Sequence, residues 1–409
     1  MKATRNYPRA TVSKKAENSI RGGHPWIYDT EIREDLSELD NGCLMDVFSE
    51  KDAYLGTGLL SQNSKIRIRL LSSNANDRYD EAFFRRRIEY AIRYRRTVMR
   101  EADFSCCRIL FGESDGLPGV TVDRYGSILV SEVLSYGMEL RKDMLFRILK
   151  EEMERAGATV DGIYERNESA IRELEGLGKG KGWYAGEGFP VPGSSVTEIM
   201  ENGIRYLVDV ENGQKTGFFL DQKLNRRAAA GIAAGKHVLD CFTHTGSFGL
   251  NAAAAGAEHV TCVDVSKTAI DLAMSNAERN GLVGRMDFIC ADVFDLLPKL
   301  AEEHADYDYI ILDPPAFTKN RATVRNAGRG YKEINFRAMK LLPRGGYLAT
   351  CSCSHFMTKE MFLEMLRSAA RDAGVSLKLI EARGQSPDHP VLLNVPETDY
   401  LKFFLLQIV

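Results

Sequence analysis

The chain has 409 residues, 44% apolar and 27% charged, which is enough for two or three domains with ordinary cores. It contains no run of about 18 apolar residues, and its first residues lack the apolar core of a signal peptide. Its eight cysteines include no C-x-x-C pair, which argues against a zinc ribbon or a disulfide framework. We therefore expect a soluble cytoplasmic protein with no bound metal and no membrane partner.

The net charge of −3 is unevenly distributed along the chain. Residues 1–100 contain 19 Lys and Arg against 14 Asp and Glu, a net charge of +5, and the remainder carries −8. This asymmetry permits a basic N-terminal surface that contacts phosphates. Composition alone does not require it, because solvated helix faces are also rich in arginine.

Residues 9–72 contain short strand patterns separated by turn signals. Alternation is clear over residues 64–70, where Ile66, Ile68 and Leu70 are expected to face a core. The other face of this strand would carry three cations that a phosphate backbone could contact, namely Lys65, Arg67 and Arg69. A plain solvated sheet face is the alternative interpretation.

A basic, partly apolar helix is predicted over residues 80–100, and mixed strands and helices follow from about 105 to 195. The segment 176–192 is rich in Gly and Pro and suits a boundary loop. The predicted domains are 1–76, 77–195 and 196–409.

From about residue 204 the pattern alternates between strand and helix. The predicted strands are Lys236–Asp240, Thr261–Asp264, Asp287–Cys290, Tyr309–Leu312 and Gly346–Thr350. Strands separated by helices indicate an α/β, Rossmann-like, doubly wound parallel sheet. Because ligands of such sheets bind at the carboxyl ends of the strands, the polar residues after each strand are the candidate site.

The turn after the first of these strands contains Gly246 and Gly249 but no G-x-G-x-x-G pattern, which disfavours a pyrophosphate cradle. Acids end three successive strands. We expect Asp240 to face the positive charges of a cofactor, Asp264 to accept from ribose hydroxyls and Asp292 to accept from an adenine amine. Val293 would pack against the adenine ring. This set favours S-adenosylmethionine over NAD.

The fourth strand ends in Asp313-Pro-Pro-Ala-Phe317. Pro314 and Pro315 fix the backbone, so Asp313 would point rigidly at a planar base. Enzymes that methylate exocyclic amines typically have an aromatic residue at the position of Ala316. Its absence argues against that chemistry.

Two cysteines, Cys351 and Cys353, end the fifth strand and would share one face of it. Cytosine C5 becomes nucleophilic when a thiolate adds to C6, so a cysteine beside the base-binding acid indicates covalent catalysis. A buried, small apolar role is the alternative for any cysteine, and we assign it to Cys241, Cys262 and Cys290.

Together these motifs resemble the RlmI-like family of 5-methylcytosine methyltransferases of large-subunit ribosomal RNA. The resemblance covers nearly the whole chain. Residues Arg21–Tyr28 resemble its PUA-type RNA-binding domain, and Gly112–Gly119 resemble its small central α+β domain. The remaining matching segments are Lys215–Gln222, Asp313–Phe317, Arg329–Asn335, Ser352–Ser354 and Asp388–Val391.

The resemblance implies that Cys353, in its S-C-S motif, is the nucleophile and that Asp313 binds the base and assists proton handling. The T-C-S match at Thr350–Ser352 would instead select Cys351. Cofactor contacts implied by the family are Asp221, Phe242, Gly246, Asp264 and Asp292. Our predicted cofactor set also includes Thr243, Ser247, Phe248 and Ser266.

The chain departs from many RNA 5-methylcytosine enzymes, because Pro315 and Ala316 occupy the place of their second cysteine. The base that removes the C5 proton could be Asp313, Cys351 or water.

The predicted function is S-adenosylmethionine-dependent formation of 5-methylcytosine in 23S ribosomal RNA through a cysteine–C6 adduct. Methylation of a guanine or adenine amine, or of a small molecule, is one alternative. A non-catalytic RNA-binding or ribosome-assembly factor is another. An exposed sheet edge in the central domain would permit a homodimer.

Overall fold

A computed structural model describes residues 6–318 and 323–409, which form two compact units. The first unit contains residues 6–199, 208–220 and 387–398. The second contains residues 200–207, the described part of 221–386, and 399–409. No helix of the described residues has both the length and the apolar character needed to cross a membrane.

The first unit begins with a five-stranded sheet and one helix. Its elements are β1 (Arg9–Val12), α1 (Lys14–Arg21), β2 (Trp26–Tyr28), β3 (Leu44–Ser49), β4 (Tyr54–Leu60) and β5 (Ile66–Ser72). The strand order is β1-β3-β4-β5-β2. Ser13 starts α1 by accepting a hydrogen bond from the amide of Ala16 at 3.3 Å.

A second five-stranded sheet follows in the same unit, in the order β10-β9-β8-β7-β6. Its elements are α2 (Glu81–Val98), β6 (Cys106–Phe111), β7 (Val120–Tyr125), β8 (Ile128–Val133), α3 (Tyr136–Glu139), α4 (Lys142–Arg155), β9 (Gly162–Asn167), α5 (Ile171–Leu174) and β10 (Gly180–Trp183). One apolar core joins the two sheets, because Leu59 and Leu71 of the first pack in the same cluster as Phe83, Phe84 and Ile88 of α2.

Strand β5 forms where alternation predicts it, and Ile68 is fully buried. The prediction of three exposed cations on its other face is wrong for Arg69, which is 7% exposed and pairs with Glu175 at 2.7 Å. Arg67 is half-buried and donates to the carbonyl oxygens of Ser61 and Gln62. Other residues of the same unit cover this face, and a covered cation needs a partner. Lys65 is exposed.

The second unit contains a seven-stranded sheet. In the chain it is preceded by a two-stranded hairpin, β11 (Val196–Glu201) and β12 (Ile204–Asp209), whose residues are divided between the two units. Its elements are α6 (Lys223–Ala230), β13 (His237–Cys241), α7 (Ser247–Ala254), β14 (His259–Asp264), α8 (Lys267–Arg279), β15 (Met286–Cys290), α9 (Val293–Glu302), β16 (Tyr309–Leu312), α10 (Val324–Leu341), β17 (Tyr347–Ser352), α11 (Lys359–Ala373), β18 (Leu377–Arg383) and β19 (Lys402–Ile408).

The strand order of this sheet is β15-β14-β13-β16-β17-β19-β18. The first five strands are parallel, and β19 runs antiparallel between β17 and β18. The strand order reverses between β13 and β16, which makes a crevice at their carboxyl ends. The predicted doubly wound sheet is therefore confirmed, and its switch point lies where Asp240 and Asp313 end neighbouring strands.

Candidate active site

The turn from β13 to α7 has an unusual backbone. Phe242, His244 and Gly246 all have positive φ, at 62°, 50° and 80°. Such conformations cost free energy in residues other than glycine and are concentrated at ligand sites. A Cβ atom on Gly249 would lie 2.5 Å from Cys262 Sγ, so this glycine lets α7 pack closely on β14.

Asp240 is fully buried beneath this turn. Its Oδ2 accepts hydrogen bonds from the Gly249 amide at 2.8 Å and from the Thr243 hydroxyl. Burial raises the pKa of Asp240 to about 7, although both hydrogen bonds act in the opposite direction. The side chain holds the turn through Oδ2, and its Oδ1 is buried with no hydrogen-bond partner among the described residues. Contact with a cofactor's positive charges stays a prediction.

Three other residues of the predicted cofactor set also build this turn from the inside. Thr243, Ser247 and Phe248 are all buried. The Arg226 guanidinium lies over the Phe248 ring at 6.0 Å and pairs with Glu201 at 2.6 Å. The Phe248 ring is 3% exposed and packs against Arg226 of α6, and its contact with a cofactor stays a prediction.

Asp264 ends β14 with a half-buried side chain. Its Oδ2 accepts from the His244 amide and its Oδ1 from the Ser266 amide, each at 2.9 Å. Each oxygen keeps a second lone pair, so the carboxylate can also accept from two vicinal hydroxyls. Ser266 is half-buried and caps α8. Val265, beside it, is 71% exposed and offers an apolar surface.

Asp292 is exposed and caps α9 by accepting from the Phe294 amide at 2.8 Å. The prediction that Val293 packs on an adenine ring is wrong, because Val293 is 2% exposed and lies in the core of this unit. The first turn of α9 directs Phe294, the residue after Val293, toward the surface. Phe294 is 39% exposed, 5.9 Å from the Phe317 ring, and sequence reasoning missed it.

Asp221, next to α6, has one satisfied and one unsatisfied carboxylate oxygen. The Tyr400 hydroxyl donates to Oδ2 at 2.7 Å. Oδ1 is buried and has no hydrogen-bond partner among the described residues. An unpaired buried oxygen is costly unless a ligand satisfies it. This oxygen can accept a hydrogen bond from an ammonium group, such as that of a cofactor with an amino acid moiety.

Asp313 ends β16 and is held by a short chain of amides. Gln222 Nε2 donates to its Oδ1 at 2.8 Å, and Asn225 Nδ2 donates to Gln222 Oε1 at 2.7 Å. Burial raises the pKa of Asp313 to about 7, and the Asp221 carboxylate acts in the same direction. Pro314 is buried and Pro315 is exposed at this strand end. The orienting amides were not predicted from the sequence.

The two strand-end cysteines have different surroundings. Cys351 is fully buried and hydrogen-bonded to Asp313, and burial raises the pKa of its thiol well above the usual value. Cys353 lies beyond the end of β17 and is half-buried. The Ser354 amide donates to Ser352 Oγ at 3.4 Å, and Ser354 Oγ donates to the Thr318 carbonyl at 3.0 Å. This turn fixes the backbone on both sides of Cys353.

The register brings these groups to one sheet edge, because Leu312 of β16 pairs with Thr350 of β17. Asp313 therefore follows its strand next to Cys351, and Cys353 lies two residues further along. The crevice places an acid, an accessible thiol and an ammonium acceptor around the switch point. Such a site is typical of an enzyme that joins a nucleoside-bearing cofactor to a second substrate.

Comparison with known proteins defines the cofactor. Residues 180–405 match the family model described as S-adenosylmethionine-dependent methyltransferase, and residues 10–73 match a PUA-like domain. Over 98% of its length the chain is similar to a putative methyltransferase structure from Streptococcus mutans, with a TM-score of 0.80 at 23% identity over all of that chain. Another putative methyltransferase, solved with SAH, has a TM-score of 0.82 at 23% identity and the same coverage of both chains.

The protein is thus an enzyme of the S-adenosylmethionine-dependent methyltransferase class. Two curated relatives, from Klebsiella pneumoniae strain 342 and Pseudoalteromonas atlantica, are both named ribosomal RNA large subunit methyltransferase I. They are 37% and 39% identical over 404 and 402 residues, and each match covers 98% of this chain and 99% of the relative. The chain belongs to the family that these methyltransferases represent.

Proposed function

We propose that this enzyme methylates C5 of a cytosine in large-subunit (23S) ribosomal RNA through a covalent adduct with Cys353. The names of the relatives support large-subunit ribosomal RNA as the substrate. The observation that supports the chemistry is the placement of a half-buried thiol beyond β17 next to the acid that ends β16. Cys351 is unsuited to the same role because its thiol is fully buried.

Asp313 binds the cytosine in this proposal. With a pKa of about 7, it is available near neutrality both as an acid and as a carboxylate. The acid donates to N3 of the ring, and the carboxylate accepts from the 4-amino group. The Gln222 amide keeps one oxygen oriented, so the other can face the base.

The Cys353 thiolate then adds to C6. The S–C6 bond forms as the C5–C6 π electrons move toward C5 and the base's N3 side, where the Asp313 proton neutralises the charge. Bound S-adenosylmethionine supplies an electrophilic methyl group. Transfer of the methyl group to C5 leaves S-adenosylhomocysteine. A base then takes the C5 proton, the S–C6 bond breaks to return the thiolate to Cys353, and N3 gives up the proton it received, so that one proton is released overall. Cys351 is a poor proton acceptor because its buried thiol resists ionisation, which leaves Asp313 or water.

The test compares Cys353→Ala with Cys351→Ala. We expect Cys353→Ala to lose methyl transfer by at least about 1,000-fold, because it removes the nucleophile of a covalent route. Cys351→Ala should retain measurable transfer, since its thiol is buried. Methylated RNA would be digested and its nucleosides identified by mass spectrometry, with 5-methylcytidine as the expected product.

The covalent step has an independent readout. RNA containing 5-fluorocytosine should form an adduct with the wild-type enzyme that persists in denaturing gels, because fluorine cannot leave C5 as a proton does. Cys351→Ala should form it and Cys353→Ala should not. Transfer retained by Cys353→Ala, or a methylated guanine or adenine amine in the digest, would overturn the proposal.

We further propose that the chain divides into domains at 1–76, 77–195 and 196–409. We also propose that the protein acts in the cytoplasm. In the N-terminal domain, we propose that the exposed Lys65 contributes to RNA binding. Arg69 is buried in an ion pair, which argues against a phosphate contact by it. Arg67 is half-buried and donates through Nη1 to two carbonyl oxygens, and its contact with phosphate stays a prediction. Homodimer formation stays a prediction, and sedimentation would test it.

A further inference from the structure

Lys402, the first residue of β19, is a buried lysine at the edge of the candidate site. It is 6% exposed and lies directly opposite Ser352 in the β17–β19 ladder. Its ammonium donates to the carbonyl oxygen of Ser354 and, at 2.8 Å, to that of Tyr400. The first of these carbonyls belongs to the residue immediately after Cys353.

These partners are neutral, which is unusual for a buried cation. Burying an ammonium costs several kcal/mol unless a negative charge compensates it, and carbonyl dipoles compensate only in part. Burial lowers the pKa of Lys402 to about 8, and two nearby groups, Cys353 and Asp399, act in the opposite direction. Asp399 is exposed, so water screens its charge.

The charged and titratable groups around the pair come from several elements. Asp313 and Cys351 lie on the sheet side, and Cys351 interacts with both Asp313 and Cys353. Tyr331 of α10 faces Cys353, and burial raises the pKa of this tyrosine to about 12. Cys351 and Tyr331 become negative when they ionise, whereas Lys402 carries a positive charge.

We propose that Lys402 is a positioning residue whose ammonium stabilises the thiolate form of Cys353. The inference rests on the proposed function for its catalytic meaning, although the electrostatic pairing itself does not. A thiolate near the ammonium satisfies the buried cation, and the ammonium favours both the attacking thiolate and its return when the S–C6 bond breaks. The two carbonyl contacts fix the ammonium, so the field at the sulfur is preorganised.

The test measures the ionisation of Cys353 in the enzyme without RNA or cofactor. Wild type, Lys402→Met and Lys402→Arg would be alkylated with iodoacetamide between pH 5.5 and 10, and labelling would be quantified for each cysteine peptide by mass spectrometry. Lys402→Met should move the midpoint of Cys353 alkylation upward by about one pH unit, because a charge at close range shifts ionisation by about that much or more. Lys402→Arg should keep the alkylation midpoint of Cys353 close to the wild-type value.

Cys290 is the internal control. The prediction that this cysteine is buried is wrong, because it is exposed at the end of β15. Its alkylation profile should therefore be the same in all three proteins. A midpoint for Cys353 that stays unchanged in folded Lys402→Met would overturn the proposal. A change shared by Cys290 would also count against it, because that would report a general loss of structure.

A reciprocal measurement covers the case in which Lys402→Met does not fold. Coupling between two titrating groups is mutual, so Cys353→Ser should lower the titration midpoint of Lys402. The enzyme would be labelled with ¹³C-lysine, and the Lys402 signal would be assigned by its loss in Lys402→Arg. An unchanged titration midpoint of Lys402 would overturn the inference about Lys402. The proposed function has a separate test, because methyl transfer retained by Cys353→Ala would overturn it whatever the midpoints are.

Discussion

Burial of Asp240 beneath the β13–α7 turn makes the stability of the protein depend on pH. Asp240 is the penultimate residue of β13, has no exposed surface, and accepts hydrogen bonds from two donors of the turn that follows. Burial raises its pKa from 3.8 to about 7. The folded state therefore holds a proton that the unfolded state releases above about pH 4. This contribution to stability is fully present below that pH and is lost as the pH rises to about 7.

We expect Asp240→Asn to gain stability relative to wild type as the pH rises. The amide oxygen can still accept from Gly249 and Thr243, and no charge is buried. At pH 8 the gain should be roughly 2 to 4 kcal/mol, because one pKa unit corresponds to about 1.4 kcal/mol. At pH 4.5 the two proteins should differ little. Urea unfolding followed by circular dichroism at both pH values measures the difference.

The matched control is Asp292→Asn, which makes the same chemical change at an exposed helix cap. Asn caps helices about as well as Asp, so this variant should follow the wild-type pH dependence. Equal behaviour of the two variants would mean that burial of the Asp240 charge has no measurable cost.

At the scale of elements, β5 joins its sheet to the rest of the first unit through a buried ion pair. Arg69 Nη2 lies 2.7 Å from Glu175 Oε1, and the other oxygen of Glu175 accepts from the Ser61 hydroxyl at 2.8 Å. Both side chains are almost fully buried. Removal of one partner leaves an uncompensated charge in the interior.

We expect Arg69→Met to destabilise the protein by about 3 kcal/mol or more. The double variant Arg69→Met with Glu175→Gln should recover part of this loss, because no unpaired charge remains. Arg33→Met breaks an exposed pair with Glu50 and should cost less than about 1 kcal/mol. Chemical unfolding of the four proteins gives the comparison, and equal losses for Arg69→Met and Arg33→Met would contradict it.

The pattern of elements could be predicted from the sequence more fully than the direction of their side chains. Alternating strands and helices predict the parallel sheet of the second unit because the period of apolar residues is a local property. Which neighbour covers a face is not local. Arg69 is buried by Glu175, 106 residues away, and Val293 points into the core because of how α9 packs.

Some residues of the candidate site could be predicted from local sequence patterns, and others could not. Strand-end acids mark the crevice because parallel strands end at one edge. Lys402 and Tyr400 could not be predicted as neighbours of the site. They lie at and just before the start of the antiparallel strand β19, and its position between β17 and β18 cannot be predicted from its own sequence. The distinction between Cys351 and Cys353 depends on burial, which a two-residue spacing cannot specify.

At the scale of the whole molecule, the predicted cofactor residues all belong to the second unit, whereas the PUA-like match at 10–73 belongs to the first. Binding of S-adenosylhomocysteine should therefore stabilise the two units unequally. The turn at 242–246, with its positive φ angles, and the half-buried Asp264 should lose most of their local opening when a ligand occupies the crevice.

We expect hydrogen exchange to slow in peptides covering 240–250 and 262–267 when S-adenosylhomocysteine is added at about 100 times its dissociation constant. At that concentration a ligand stabilises the bound state by about 2.7 kcal/mol, so amides that exchange through opening of the site should slow by up to about 100-fold. Peptides within 9–72 should exchange at the same rate with and without ligand. NAD at the same concentration is the control for the absence of a pyrophosphate cradle. Protection of the same peptides by NAD would contradict the absence of a pyrophosphate cradle. Protection confined to the first unit would place the cofactor elsewhere than at the β13–β16 switch point.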